Sequence, residues 1–175
     1  MAGTQFEFNP VTHITTGFIG QPGKRVFYLQ AHKGREVMTL VVEKQQIEAL
    51  AQGVEQFLLE LKEKFPDLPE ASPDYSPQAM ELKVPVDPAF RVGQLGMGYD
   101  NDLDLIVLVA QEVVAEVRDP EDAAVARWFA TRSQMRALGR HGLSLVKQGR
   151  PVCGNCGQPI DPEGHFCPRS NGHAH

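Results

Sequence analysis

Residues 36–65, EVMTLVVEKQQIEALAQGVEQFLLELKEKF, change their period once, and that change sets the fold class. Over Glu36–Glu43 the run MTLVVE is almost continuously apolar, the pattern of a strand at a sheet centre or covered on both faces. From Lys44 onward Ile47, Leu50, Ala51, Val54, Leu58 and Leu61 recur at steps of three and four, leaving Glu48, Gln52, Glu55 and Lys62 outward. That is an amphipathic helix, and Phe65-Pro66 ends it because the residue before a proline is pushed out of helical conformation.

Upstream, a short opening strand is expected around Phe6 and Phe8, followed by β-branched and aromatic strands over residues 13–20 and 25–32 joined through Gly20-Gln21-Pro22-Gly23. Downstream, residues 66–88 hold six prolines, a density that fixes extended backbone and removes ladder donors, so this stretch reads as a linker or an edge-hugging loop. Beyond it, Phe90–Tyr99 and Leu103–Val117 read as strands around the acidic turn Asp100-Asn101-Asp102. Val125–Ala130 reads as a further strand, and Thr131 as the cap of a helix to about Gln148.

Phe18-Ile19-Gly20-Gln21-Pro22-Gly23 also aligns with Arg91-Val92-Gly93-Gln94-Leu95-Gly96, an offset of 73 residues, and strand, turn, strand and helix follow each. The expectation is an α+β fold: a duplicated strand-rich unit, each copy closed by one helix packed on the same face of an antiparallel sheet. The halves would be 13–65 and 90–148, within a domain of residues 1–149, with a small zinc-ribbon-like tail at 150–175 beside the second helix.

That tail, RPVCGNCGQPIDPEGHFCPRSNGHAH, contains all three cysteines and three of the six histidines. Cys153-Gly-Asn-Cys156-Gly has the spacing at which one tight turn aims two thiolates at one ion, and Gly164-His165-Phe166-Cys167-Pro168 follows. Tetrahedral zinc takes four ligands, so a structural Zn2+ on Cys153, Cys156, Cys167 and His165 is expected, with His173 the alternative fourth ligand. His165 and Cys167, two apart, point to the same side of an extended stretch. Ser170 stands where a second pair would place a cysteine, and it is a poor ligand. An odd cysteine count fits a disulfide framework badly, and a redox Cys-x-x-Cys normally sits where a strand meets a helix.

The composition is globular, with 42% hydrophobic and 22% charged residues. No apolar run could span a bilayer and the first residues lack the pattern of a signal peptide, so a cytoplasmic protein with reduced thiols is expected. The net charge of −5 conceals an asymmetry: residues 36–122 carry nineteen acidic and six basic side chains, whereas residues 123–160 carry six basic and none acidic. Either the two regions attract each other, or the basic one meets an anion.

With the repeat, the Glu43-Lys44-Gln45-Gln46 helix start and the closing Asp161-Pro162-Glu163-Gly164-His165-Phe166-Cys167-Pro168-Arg169-Ser170-Asn171-Gly172 in view, the chain resembles an uncharacterised bacterial family. That family is a conserved domain of unknown function with an internal repeat and a cysteine-bearing C-terminus. The resemblance implies a cytosolic bacterial protein and brings no activity or catalytic residue with it.

On the second helix Arg132, Arg136, Arg140 and Lys147 fall on one face, with Met135, Leu138, Gly142, Leu145 and Val146 opposite. The face is either a solvated one paired with the acidic region, or a phosphate or nucleic-acid contact beside a zinc ribbon. Asp100-Asn101-Asp102-Leu103-Asp104 begins like a calcium loop, but Leu105 and Gln111 stand where glycine and glutamate are required, so it reads as a polar turn. Gly93, Gly96 and Gly98 lack the Lys-Ser/Thr and helix start of a phosphate loop and read as bulges or bends in a strand. No hydrolase signature is present; His13 and His32 lie on strands where they could meet an acid in space. Three functions follow in order: a zinc-ended, non-catalytic interaction or adaptor module with a protein partner; a nucleic-acid binder using the basic helix and tail; and an enzyme with a cryptic site between the repeats.

Overall fold

The structure, a computed structural model, describes residues 3–21, 23–114 and 119–148. Strands β1 (Gln5–Phe8), β2 (His13–Ile19), β3 (Val26–Lys33) and β4 (Glu36–Val42) precede helix α1 (Lys44–Lys64). After the proline-rich linker come β5 (Pro88–Asp100), β6 (Leu105–Glu112), β7 (Val125–Ala130) and helix α2 (Arg132–Lys147). Among the described residues the fold is α+β: two α-helices and one seven-stranded sheet in the order β1-β7-β6-β5-β4-β3-β2.

Each half is a three-stranded antiparallel meander followed by a helix, β2-β3-β4-α1 and β5-β6-β7-α2. The halves join through a parallel pairing of β4 with β5, and β1 adds to β7 in parallel as well. The sheet is therefore mixed and not the antiparallel one expected; the linker is long enough to return the chain to the end of the sheet from which β4 started. Two consecutive residues curl the sheet: Val11 N–H donates to Phe129 O at 2.8 Å and Thr12 N–H to His32 O at 2.7 Å. Since β7 and β3 are each one strand in from opposite edges, the sheet rolls until its flanks meet across the β1–β2 connection.

Both helix ends are set by their sequence. Glu43 and Gln46 form a capping box at α1, and Thr131 and Gln134 form one at α2, so two otherwise orphaned amide donors are satisfied at each start. Ile47, Leu50, Val54 and Leu58 of α1 and Met135 and Leu138 of α2 share one core with Ile14, Leu29, Leu40, Ile106, Leu108 and Trp128 of the sheet. The helices cross closely at two glycines. A Cβ at Gly139 would stand 3.5 Å from Ala51 and Val54, whereas one at Gly142 would stand 2.8 Å from Ile47 and 3.4 Å from Thr16 of β2.

Two further expectations change. The strand expected over Leu103–Val117 runs over Leu105–Glu112; of the five expected residues beyond it, 115–117 lie outside the described ones. Past Glu112, Val113 N–H still donates to Arg91 O at 2.8 Å. The six-residue match is not structurally equivalent either: residues 18–23 span the end of β2 and its turn, while residues 91–96 lie within β5 around a bulge between Val92 and Gln94. Between corresponding elements the offset grows from 79 residues at Val26 and Leu105 to 88 at Lys44 and Arg132.

Candidate functional site

The metal ligands expected at Cys153, Cys156, Cys167 and His165 or His173 lie outside the described residues. Among the described residues, no group of three or more His, Cys, Asp or Glu side chains could hold a metal ion, and no helix is long and apolar enough to cross a membrane.

The basic face of α2 lies against the linker. Arg132 Nη1 donates to Pro69 O at 2.6 Å, Arg136 Nη1 to Ala71 O at 2.8 Å and Arg140 Nη1 to Pro73 O at 2.9 Å. Four residues of helix advance about 6 Å and two residues of extended chain about 6.6 Å, so arginines one turn apart match alternate carbonyls. Ser133 Oγ accepts from the N–H of Ser72 between them at 2.8 Å. Carboxylates complete the seam. Arg132 forks onto Asp104 at 2.9 and 3.1 Å, Arg136 lies 3.5 Å from Glu55 and 3.8 Å from Glu70, and Arg140 lies 3.9 Å from Glu55. Three of the four basic residues are thus engaged inside the chain, with the side chains of Arg132 and Arg136 only 12% and 13% exposed. A phosphate would have to displace these partners. Lys147 lies further along α2, beside an open depression with Arg140, Leu143, Ser144 and Gln148.

Asp104 fixes the acidic turn to this seam. Its backbone sits at φ 51°, a left-handed conformation that aspartate tolerates better than most residues. Its carboxylate accepts from Tyr99 Oη at 2.6 Å as well as from Arg132. The Arg132 bond holds the Asp104 carboxyl below its ordinary value against the opposing effect of burial, while burial and the bond to Asp104 push the Tyr99 phenol up to about 12. Asp100 Oδ1 closes the turn by accepting from the N–H groups of Asp102 and Leu103, each at 3.0 Å.

From α2 the linker crosses the edge strand β2 to the opposite face of the sheet. There Gln30, fully buried, treats it as another strand: Oε1 accepts from Lys83 N–H at 2.8 Å and Nε2 donates to Lys83 O at 3.1 Å. Nε2 also reaches Thr39 Oγ1 at 3.0 Å, and Oε1 lies 3.1 Å from His32 Nε2. Thr15, equally buried, donates to Met80 O at 2.6 Å, and Gly17 leaves room for Leu82, whose Cγ a Cβ there would meet at 2.5 Å. His13 and His32 are direct cross-strand partners with ring centroids 5.6 Å apart. Burial lowers the His32 pKa, helped by the neighbouring His13 and Lys83. The ring thus stands among the Gln30 amide, the Lys83 ammonium and the His13 ring, beside the point where the linker is held to the sheet as a strap.

The strap leaves a groove of about 390 Å³ at the β2 edge, with Phe18, Ile19, Met80, Leu82, Val84 and Leu145 among its walls. Ile19 is 46% and Val84 69% exposed. A second open depression of about 400 Å³ lies near the start of α1, among Arg25, Lys44 and Arg91, where Arg91 is paired with Glu43 at 2.8 Å.

A family profile described as "Protein of unknown function (DUF3090)" matches residues 6–167. The chain belongs to this family. The match runs through the sheet, both helices and the strap, and takes in Cys153, Cys156, His165 and Cys167 but not His173. No curated protein and no solved structure matches this DUF3090 member.

Sequence reasoning identified the arginines and histidines but missed Gln30, Thr15 and the pairing role of Asp104. Only Asp104 left a signal: it belongs to the acidic turn, and aspartate favours left-handed turn positions.

Proposed function

We propose that this chain is a zinc-binding, non-catalytic interaction protein, whose α+β body carries a structural Zn2+ tail at residues 150–175 that meets a protein partner. The observation that carries this reading is the ligand spacing of Cys153, Cys156, His165 and Cys167. Four protein ligands close a zinc ion to water, so its role is to organise the tail and not to activate a substrate. The body supports the same reading through its use of polar groups: Arg132, Arg136, Arg140 and Gln30 are bound to the strap. Val26, exposed on the β2–β3 hairpin, stands near the point from which the tail continues.

The shared meander-helix plan supports a further part of the proposal, that the two halves derive from one duplicated unit despite their unequal offsets.

The test is metal-dependent partner capture. The full chain and its Cys156→Ser variant are cross-linked in the extract of the source cell and the products identified by mass spectrometry. A protein held by the first and lost by the second agrees with the proposal. Equal recovery by both, or recovery of nucleic acid alone with a steep salt dependence, contradicts it.

A further inference from the structure

The groove at the β2 edge lies where the described chain stops. The carbonyl of Gln148, the residue that caps α2, accepts from Arg25 Nη2 at 2.9 Å, and the same guanidinium lies 4.1 Å above the Phe18 ring. This contact fixes the exit of the chain against the β2–β3 hairpin, and Gln148 is itself a wall of the groove beside Phe18, Ile19 and Leu145. Residues 149–175 continue from there. Their large aliphatic and aromatic side chains are Val152, Ile160 and Phe166, too few to form a core of their own. Val152 comes four residues after Gln148, a reach of about 13 Å in extended chain.

We propose that the groove is the docking site of this chain's own C-terminal segment, residues 149–175, which seats Val152, Ile160 or Phe166 against Ile19, Leu82 and Val84. The inference rests on the zinc reading for the compactness of the segment, and it adds the surface that receives it. Two mismatches are resolved together: the groove's exposed Ile19 and Val84 gain cover, and the few apolar groups of the tail gain a core that they cannot build. The tether is short and its origin fixed, so the effective local concentration is in the millimolar range and modest intrinsic affinity is enough. A second copy or an unrelated partner would have no such advantage.

The experiment is methyl-labelled NMR on the full chain, with zinc content measured on the same sample. The expected result is a set of through-space contacts from the Ile19, Leu82 or Val84 methyls to Val152, Ile160 or Phe166, lost on adding a chelator. They should also be lost in Val84→Asp, a substitution at a 69% exposed position, while zinc content stays unchanged. Zinc-loaded protein without these contacts overturns the docking and leaves the zinc reading standing; protein without zinc overturns that reading instead. Contacts that survive the chelator overturn the role given to the metal. Groove shifts that appear only as protein concentration rises assign the groove to a second copy and overturn the proposal.

Discussion

Replacing Arg136 by alanine should destabilise the fold by about 2–3 kcal/mol, most of it from one bond. The Nη1 donor lies 2.8 Å from the Ala71 carbonyl, and Ala71 is only 6% exposed, so truncation strands a nearly buried acceptor. A bond from a charged donor to such a group contributes about 1.5–3 kcal/mol. The ion pairs add little. Glu55 and Glu70 are 46% and 74% exposed and lie 3.5 and 3.8 Å away, a geometry that contributes a few tenths of a kcal/mol each and is screened by salt. Trp128, the sole tryptophan and 1% exposed, reports global unfolding in a urea titration. With a denaturant slope of about 2 kcal/mol per molar, the midpoint should fall by about 1 M. Arg136→Lys should recover part of this loss, since it keeps the charge but not the fork. A change under about 0.5 kcal/mol, the range of ordinary surface substitutions, would refute the reasoning. So would a loss that disappears in molar salt, because it would then belong to the exposed carboxylates.

The close crossing of α2 predicts opposite outcomes for its two glycines. Gly139→Ala should be neutral or stabilising by up to about 1 kcal/mol from helix propensity, since its Cβ meets neighbours at 3.5 Å, whereas Gly142→Ala should lower the melting temperature, since Ile47 stands at 2.8 Å. Gln30→Leu should leave both backbone groups of Lys83 and the Thr39 hydroxyl unpaired, accelerating amide exchange over residues 80–85 before the rest of the sheet. Burial lowers the pKa of both His32 and His141 below 6.5, with His13 and Lys83 adding to it at His32 and a bond to the Thr16 backbone opposing it at His141. The unfolded rings then bind protons that the folded ones refuse, so stability should be full above about pH 7 and fall as pH drops through 6.5 towards the folded values. Thermal melts between pH 5 and 8 check this, and a flat profile would contradict it.

The periodic elements were legible because their signal is local. The helix read over Lys44–Phe65 is α1, and all six of its expected core residues, Ile47, Leu50, Ala51, Val54, Leu58 and Leu61, are buried. Thr131 likewise caps α2 as its sequence requires. What stayed hidden depends on partners without side-chain patterns. The arginine spacing was visible, but its acceptors are the carbonyls of Pro69, Ala71 and Pro73, and a carbonyl looks the same in every residue. Gln30 carries no signal of its own in the strand over residues 25–32, because its partner Lys83 lies 53 residues away in a loop. The parallel joining of β4 to β5 follows from the path of that same linker, which no periodicity reports. The six-residue match misled because Gly20 serves a turn in one half, whereas its counterpart Gly93 lies at a strand bulge in the other.

Native mass spectrometry of the full chain, purified without added metal, tests the central claim most directly. The account predicts one zinc ion per chain, lost in Cys153→Ser/Cys156→Ser protein and in His165→Ala but retained in His173→Ala, with the α+β body still folded by circular dichroism. A metal-free chain, or zinc retained at full stoichiometry in the double cysteine variant, would contradict it.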